Sequence, residues 1–177
     1  MNSGDSAPGL LEGTLNYWGK DMKLKFFKIR DGAKLPVRAH ASDAGMDVFY
    51  CPNGDFIGKL YNTKDFWIPQ GSSRLLPTGL KVEVPAGHML EIKNKSGVAS
   101  KRQLVVGACV VDPGYDGEVY INLHNLGTTT QIIKPGEKIA QAVLVPVVFC
   151  DIEESEEDDL NQDAQRGDGG FGSTGRF

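Results

Sequence analysis

Cysteine and histidine are scarce in this chain of 177 residues, which contains three of each. The cysteines lie far apart with no CxxC spacing, and an odd number does not suit a disulfide framework. The histidines are equally scattered, so no Cys/His group has the spacing of a zinc site. The six residues are Cys51, Cys109, Cys150, His40, His88 and His124. Their distribution excludes a disulfide scaffold and a zinc finger, and it favours a reducing compartment.

Long hydrophobic runs and an excess of positive charge are also absent. No apolar run approaches the roughly 18 residues that span a bilayer, and the first residues lack the charged and then apolar pattern of a signal peptide. The formal net charge is −4, which argues against broad attraction to nucleic acid or to an anionic membrane. We therefore predict a cytoplasmic protein, in the host cytoplasm if it is viral, with no nucleic-acid or membrane partner.

Helical periodicity is the third absence, because no segment carries an apolar stripe over about 11 or more residues. The sequence instead contains short runs rich in Val, Ile and Leu, separated by Gly, Pro and Asn turn signals. Strands are predicted at residues 23–30, 72–85, 88–95, 104–112, 118–125 and 139–149. Strands at this spacing must close on each other to bury one face, so the predicted fold class is all-β, as a sandwich, a barrel or a jelly roll.

Composition divides the chain into three parts. Residues 1–21 are predicted as a loosely ordered N-terminal extension, and residues 22–150 as a single β domain with an excursion at 50–66. Residues 151–177 are predicted as an acidic linker, solvated along its charge run 151–159, followed by a Gly-rich arm. Such an arm buries too little apolar surface to order itself, so it needs a ligand or a neighbouring chain.

The most informative segment is LVVGACVVDPGYDGEVYINLHN, residues 104–125, in which two β-patterned arms flank a Pro-Gly turn. Asp112 falls at the end of the first arm, near the mouth of the sheet. A carboxylate at such a position can orient and deprotonate a water molecule, an effect worth about 10² to 10⁴ in rate. Taken alone, Asp112 can equally cap a turn, and Tyr115 can be a packing residue.

Three other segments place polar groups beside predicted strands. Ser96 and Gly97 lie between two lysines, which suits either a small anion site or a polar surface turn. Asp43 and Asp47 flank a glycine, and they can serve metal-bound water or form an Asx turn. Gln141 is a polar residue in an apolar run, so it requires a hydrogen-bonding partner.

The stretch RGDGGFGSTG, residues 166–175, permits four interpretations. It formally matches GxGxxG, but a dinucleotide loop must open a helix and only two residues follow. An Arg-Gly-Asp adhesion signal requires a secreted protein, which the composition does not favour. Its arginine, hydroxyls and glycine amides are phosphate donors and its phenylalanine can cover a base, so a nucleotide lid is preferred over an unstructured tail.

Five short stretches in a fixed order resemble the motifs of the trimeric dUTP diphosphatases, the dUTPases. The resemblance covers about residues 22–177. The stretches are ASDAGMDV (41–48), NKSGVAS (94–100), GACVVDPGYDG (107–117), GEKIAQ (136–141) and RGDGGFGSTG (166–175). The resemblance implies a jelly-roll homotrimer that hydrolyses dUTP to dUMP and pyrophosphate, with each active site built from three subunits.

Roles for the third motif are implied by this resemblance. Asp112 would activate the attacking water, and Tyr115 would stack under the deoxyribose and leave no room for a 2′-hydroxyl. Main-chain groups near residues 107–111, including those of Gly107 and Val111, would hydrogen-bond the uracil. Backbone pairing of this kind distinguishes uracil from cytosine, because a donor facing a donor leaves a buried group unpaired.

The remaining motifs would hold the triphosphate. A second subunit would contribute Lys95, Ser96, Gly97 and Gln141, with Asp47 near the metal-bound waters or in support of the site. Mg²⁺ would be bound by the phosphate oxygens and water, with no direct protein ligand. A third subunit would close its arm over the ligand: Arg166, Ser173 and Thr174 would meet the γ-phosphate, and Phe171, beside Gly172, would cover the uracil.

This sequence departs from the usual dUTPase motifs at several positions. Lys95 stands where the second motif usually has Arg, which replaces a bidentate fork by a point charge. Asn94 replaces the usual Pro before it, and Cys109 replaces a Gly close to where uracil would approach the backbone. Conservative changes occur at Met46 and at 137–138, where Glu-Lys stands for Asp-Arg. None of these changes removes the water-activating carboxylate.

Two rival functions remain open. A dCTP deaminase shares the fold, but its chemistry uses a glutamate beside the base, whereas this hairpin offers Asp112. A regulatory binding protein can keep the scaffold and act through an unknown protein partner, with residues 1–21 and 50–66 as docking regions. The intact motif set argues that catalysis survives even if regulation was added.

Overall fold

Short antiparallel strands dominate the computed structural model, which describes residues 22–54 and 64–160. The described residues contain eleven strands and one α-helix. They are β1 (Lys25–Lys28), β2 (Met46–Phe49), β3 (Phe66–Ile68), β4 (Ser73–Pro77), β5 (Leu80–Glu83), β6 (His88–Lys93), α1 (Ser96–Arg102), β7 (Leu104–Val106), β8 (Val110–Val111), β9 (Tyr120–Asn125), β10 (Gln131–Ile133) and β11 (Lys138–Pro146). The predicted all-β class is confirmed.

The strands pair into four antiparallel sheets. The largest has the order β2-β11-β6-β8, and a three-stranded sheet has the order β4-β9-β7. Two further pairs are β1-β5 and β10-β3. Neighbours in a sheet are mostly distant in sequence, so residues from different motifs are brought side by side.

The core follows from alternation along the strands. Ile121 and Leu123 of β9 are fully buried, whereas Asn122 and His124 are partly accessible, as the two-residue period of a strand requires. Tyr50 and Phe66 pack edge to face with 5.7 Å between ring centroids. The buried amide of Asn125 donates to the carbonyls of Ile68 and Thr129, so this polar side chain is satisfied.

Two of the predicted strands are each divided in two. Residues 72–85 form β4 and β5, interrupted at Gly79, whose φ of 72° lies in the left-handed region. Residues 104–112 form β7 and β8, because the chain leaves one sheet after Gly107 and joins another. An alternating apolar pattern does not reveal such a change of partner, since both halves present the same period.

Several elements do not match the sequence expectations. The helix α1 occupies residues expected to form a turn, and it buries only Val98, which is too little for a visible apolar stripe. Asp47 lies in the strand β2, whereas an Asx turn was one of the two alternatives considered for it. The short strands β3 and β10 pair with each other and were not predicted. Part of the expected 50–66 excursion, residues 55–63, lies outside the described residues.

The chain divides into two units, one up to Val147 and one from Val148 onward. The described part of the second unit runs to Leu160, contains a short 3-10 helix at Glu157–Asp159 and is exposed throughout its acidic run. The expected N-terminal extension, residues 1–21, is outside the described residues. No helix among residues 22–54 and 64–160 is long and apolar enough to cross a membrane.

Candidate active site

The four-stranded sheet gathers four of the five motifs. The register pairs Asp47 of β2 with Gln141 of β11, and Gln141 with Lys93 of β6. The helix α1 begins directly after β6, and β8 pairs with the other edge of β6. The first, second and fourth motifs therefore meet at one end of the sheet.

A pocket of about 350 Å³ lies at this meeting point. We call it the lysine pocket; its lining residues include Asp43, Gly45, Asp47, Lys95 and Gln141. Asp47 is buried, and its Oδ1 lies 2.7 Å from Lys95 Nζ while its Oδ2 lies 2.7 Å from Lys138 Nζ. Two ammonium groups share the Asp47 carboxylate, so these three side chains carry a net positive charge, which the Asp43 carboxylate in the lining offsets.

Asp47 is held in its ionised form by these lysines. Burial alone would raise the pKa of Asp47, because a low-dielectric environment disfavours the charged carboxylate. Hydrogen bonds from Lys138 and Lys95 act in the opposite direction and hold the pKa below its ordinary value. Asp47 thus organises the two cations at neutral pH.

Gln141 closes the lysine pocket on one side. Its Nε2 donates to the carbonyl oxygen of Asn94 at 2.9 Å, which supplies the partner that its apolar surroundings require. Its carboxamide lies against Gly45, where any side chain would clash with Oε1. Asn94 also accepts from the amide of Val106 at 2.7 Å through Oδ1. The Asn found in place of the usual Pro therefore ties the end of β6 to β7.

Ser96 and Gly97 form the first turn of α1, next to Lys95. Both are exposed, and a Cβ added at Gly97 would meet nothing within 4 Å. No packing requirement within the described part of the chain explains this glycine. The open backbone leaves room for a ligand to approach the amides, while the hydroxyl of Ser96 stands beside them.

The third motif contains a split hairpin. β7 and β9 pair normally as far as Gly107, whose amide donates to the carbonyl of Asn122 at 3.0 Å. Beyond this point the arms separate, because β8 pairs with β6 while β9 continues beside β4, its neighbour on the other edge. A Cβ at Gly107 would clash with the side chains of Asn122 and His124 as they stand, so a larger residue at the fork would have to displace them. Its amide is used within the hairpin.

The separated arms border a second pocket of about 340 Å³. We call it the hairpin pocket; it is lined by Leu75, Val110, Val111, Asp112, Tyr115, Glu118, Val119 and Tyr120. The Cys109 carbonyl accepts from the Ile92 amide, so residues 109 and 111 direct their backbone groups toward β6. Successive residues of a strand direct their amide and carbonyl groups to opposite edges, so those of Val110 are directed away from β6. By the same alternation, the backbone groups of Tyr120 on β9 are directed toward the opening left where β7 ends. Tyr120 lies outside the five motif stretches and could not be predicted from the sequence, because its place depends on the split.

Asp112 and Tyr115 stand at the tip of this hairpin. Both are exposed, and the Tyr115 amide donates to the Asp112 carbonyl at 3.3 Å around Gly114, whose φ is 83°. The Tyr115 hydroxyl donates to the backbone carbonyl of Glu118 at 2.9 Å. Gly117 lies under the tyrosine ring, where a Cβ would clash with it. The ring is therefore fixed from below and accessible from above.

The two pockets are far apart within one chain. Asp47 is level with Lys93, whereas Asp112 follows Val111, which pairs with Leu90. The offset of four residues along the strands and three strands across the sheet corresponds to about 20 Å between the Cα atoms of Asp47 and Asp112. The lining residues of the two pockets do not overlap.

The structure thus brings the expected residues into two groups. Asp47, Lys95 and Gln141 lie together, with Ser96 and Gly97 beside them, and Val111, Asp112 and Tyr115 lie together in the hairpin pocket. The arm residues Arg166, Phe171, Gly172, Ser173 and Thr174 lie outside the described residues. Among the residues that are described, no group of three or more His, Cys, Asp or Glu side chains is arranged to hold a metal.

Comparisons with known proteins agree on one family. The family model described as dUTPase matches residues 31–175. A deoxyuridine 5'-triphosphate nucleotidohydrolase of Gloeothece citriformis is 39% identical over 156 residues, covering 87% of this chain and 97% of that protein. One from Clostridium tetani is 38% identical over 155 residues, covering 86% and 97%. The dUTPase of Staphylococcus bacteriophage 80alpha, solved with dUPNHPP, has a TM-score of 0.71 and 25% identity over 87% of this chain and 99% of that chain.

The fold is accordingly an all-β jelly roll of the dUTPase type. The split hairpin contains the third motif, and the lysine pocket lies where the first, second and fourth motifs meet. Because the family model covers most of the chain and the relatives exceed one third identity over nearly their full lengths, the chain belongs to the dUTPase family.

Proposed function

We propose that this protein hydrolyses dUTP to dUMP and pyrophosphate, which keeps uracil out of DNA and supplies dUMP for thymidylate synthesis. The observation that carries the proposal is the split hairpin, in which an exposed carboxylate stands beside backbone edges that have separated from each other. Such edges suit a planar base with its own donors and acceptors.

Asp112 is the group proposed to activate water. A water molecule hydrogen-bonded to its carboxylate loses a proton as its oxygen attacks the α-phosphorus of dUTP. The new oxygen–phosphorus bond forms as the bond to the bridging oxygen of the β-phosphate breaks, so pyrophosphate leaves and dUMP remains. The exposure of Asp112 on the hairpin tip allows both water and phosphate to reach it.

Base and sugar selection is assigned to the hairpin pocket. Uracil inserted between the arms meets main-chain groups of residues 107–111, among which Val110 is directed away from β6. Cytosine presents a donor where uracil presents an acceptor, and the mismatch leaves a buried group unpaired. Tyr115, with its ring supported by Gly117, covers the sugar and excludes a 2′-hydroxyl. Closure of the hairpin excludes the methyl group of thymine.

The triphosphate is assigned to the lysine pocket of a different subunit. The separation of about 20 Å between Cα atoms in one chain is long for a single triphosphate, which supports a site that combines pockets of different copies. In the homotrimer expected for the family, Lys95, Ser96, Gly97 and Gln141 of a neighbouring copy are proposed to bind the phosphates. The arm of a third subunit, through Arg166, Phe171, Gly172, Ser173 and Thr174, is proposed to close over the nucleotide.

The family implies Mg²⁺, and the residues present fit an ion held mainly by substrate. Both oxygens of Asp47 already face lysines, so this carboxylate is better placed to support the site than to ligate a metal. Mg²⁺ commonly keeps several waters and binds through substrate phosphates. Bound in this way, the ion would neutralise phosphate charge, while Asp47 keeps Lys95 and Lys138 in position.

Pyrophosphate and ammonia release from dUTP, dTTP, dCTP and UTP tests the proposal. With Mg²⁺ present, we expect pyrophosphate from dUTP well ahead of the other three nucleotides, because only dUTP satisfies both base and sugar contacts. Ammonia release from dCTP would instead identify a deaminase. Absence of both products from a correctly assembled trimer would overturn the assignment and favour a regulatory binding protein.

A further inference from the structure

Arg30 and Glu118 form a side-chain pair beside the hairpin pocket that the proposed mechanism does not use. Arg30 Nη1 and Nη2 donate to Glu118 Oε1 and Oε2, each at 2.5 Å, in a bidentate arrangement. Arg30 follows β1, whereas Glu118 follows the third motif directly. The aliphatic part of the Arg30 side chain packs closely over Gly79, which lies between β4 and β5. A Cβ added at Gly79 would lie 3.3 Å from Arg30 Cγ.

The carboxylate of Glu118 is almost completely shielded from water. Its side chain is 8% exposed and that of Arg30 is 23% exposed. Glu118 Oε1 also accepts from the amide of Gly79 at 2.7 Å. Burial acts to raise the pKa of Glu118, but the hydrogen bonds from Arg30 and Gly79 outweigh it and lower the pKa. Buried ion pairs of this kind contribute little net stability and are better explained by the geometry that they fix.

The geometry that this pair fixes is that of Tyr115. The Tyr115 hydroxyl donates to the backbone carbonyl of Glu118 at 2.9 Å. The next residue, Val119, is also anchored, since its amide donates to Leu80 and its carbonyl accepts from Thr78 Oγ1 at 2.6 Å. Residue 118 is therefore held through both its side chain and its neighbour, and its carbonyl sets the height of the tyrosine ring over the pocket.

The geometry points to Arg30 and Glu118 as positioning residues that set the discrimination between deoxyribose and ribose, acting through Tyr115. This inference rests on the proposed function. A second ion pair joins the same hairpin to β5, but it differs in exposure: Lys81 Nζ lies 3.0 Å from Asp116 Oδ1, and the Asp116 side chain is 92% exposed. Such an exposed pair exerts little control over geometry, so it provides a matched control.

The test compares Arg30→Gln, Glu118→Gln, the double variant and Lys81→Gln. Steady-state kinetics with dUTP and UTP give kcat and KM for each, and calorimetric binding of dUMP and UMP gives the same preference without turnover. We expect the dUTP-to-UTP ratio of kcat/KM to fall about tenfold in either single variant, since a charge-assisted contact is lost. We expect the fall in this ratio to arise from the KM values of the two nucleotides. The kcat for dUTP should stay nearly constant because Asp112 is untouched.

The double variant should resemble the single variants, because the two residues act as one unit. Lys81→Gln should retain the wild-type ratio. Arg30→Lys keeps the charge and the stem but loses the fork, so it tests the geometry if Arg30→Gln does not fold. Folded variants that retain the full preference for deoxyribose would overturn the inference. A different outcome would overturn only the proposed function and leave this inference standing. In that case the wild-type protein would not turn over dUTP, but it would bind dUMP in preference to UMP, and changes at Arg30 would alter that preference.

Discussion

In the proposed function, the lysine pocket and the hairpin pocket bind one nucleotide, and they are organised in opposite ways. The lysine pocket is organised by buried charge, with Asp47 holding two ammonium groups at 2.7 Å. The hairpin pocket is organised by a change of strand partner at Gly107, and its selective groups belong to the backbone. If the proposed roles hold, phosphate affinity should depend on side-chain identity, whereas base selection should depend on topology.

The largest effect on turnover should come from a change at Asp112, the carboxylate proposed to activate water in the hairpin pocket. Asp112→Asn keeps the size and the turn but removes the basic oxygen that accepts the proton from water. We expect kcat for dUTP to fall by about 10² to 10⁴, with KM changed little. Pyrophosphate release under single-turnover conditions measures the chemical step directly.

Asp116→Asn, at an exposed position on the same hairpin, controls for a general effect of removing charge. Wild-type turnover in Asp112→Asn would mean that another base activates the water, and the hairpin pocket would then serve only for recognition.

Deletion of residues 160–177 removes the arm while leaving the residues of both pockets in place. We expect turnover of dUTP to fall about 100-fold, because positioning of the triphosphate is lost. The trimer should persist, and light scattering combined with the pyrophosphate assay checks both statements. Full activity in the truncated trimer would show that the two pockets suffice without a third contributor.

Asp47→Asn is expected to lower the stability of the folded protein. This effect distinguishes the lysine pocket, which depends on buried charge, from the hairpin pocket. The change leaves Lys95 and Lys138 without a neutralising partner. Because both lysines are partly exposed, we expect the free energy of unfolding to fall by about 2 kcal/mol, less than for a fully buried pair. Glu83→Gln removes the exposed Lys25–Glu83 pair, for which both side chains are 68% exposed, and serves as the control with little change.

The pH dependence of this difference identifies its electrostatic origin. The lysines hold the pKa of Asp47 below the ordinary value of about 4. A carboxyl with a lowered folded-state pKa contributes stability that is fully present above its unfolded pKa and is lost as the pH falls through the folded value. Thermal unfolding of wild type and Asp47→Asn should therefore differ at pH 7 and converge below about pH 4. A difference that stays constant as the pH falls well below about 4 would contradict the charge argument.

Lys95→Arg should have the smallest effect. A guanidinium restores the bidentate fork that the second motif usually carries, so we expect KM for dUTP to fall about threefold with kcat unchanged. Lys101→Arg, at an exposed position of the same helix, is the matched control. An unchanged KM would indicate that residue 95 serves Asp47 more than it serves the phosphates.

Much of the β architecture was predictable because β6, β9 and β11 carry clear apolar patterns. Asp112 was correctly placed at a strand end, and Gln141 was correctly expected to need a partner, which is the Asn94 carbonyl. The helix α1 was missed because seven residues with a single buried side chain produce no period.

Contacts distant in sequence were not predictable. Arg30 and Glu118 are 88 positions apart, and neither lies in a motif that suggests its partner. The split of the hairpin also has no local signal, because Gly107 fits an ordinary turn as well as a fork. The assignment of the arm to a neighbouring site remains a prediction.

The fork at Gly107 has a consequence for how this protein can change over evolutionary time. Every amino acid supplies the same amide and carbonyl, so a base recognised by strand edges places few demands on the letters at 108–111. Cys109 illustrates this freedom, since its carbonyl bonds to Ile92 as any other residue's would. In the proposed site, selectivity for uracil would thereby reside in the path of the chain, and substitutions that preserve this path should leave the substrate unchanged.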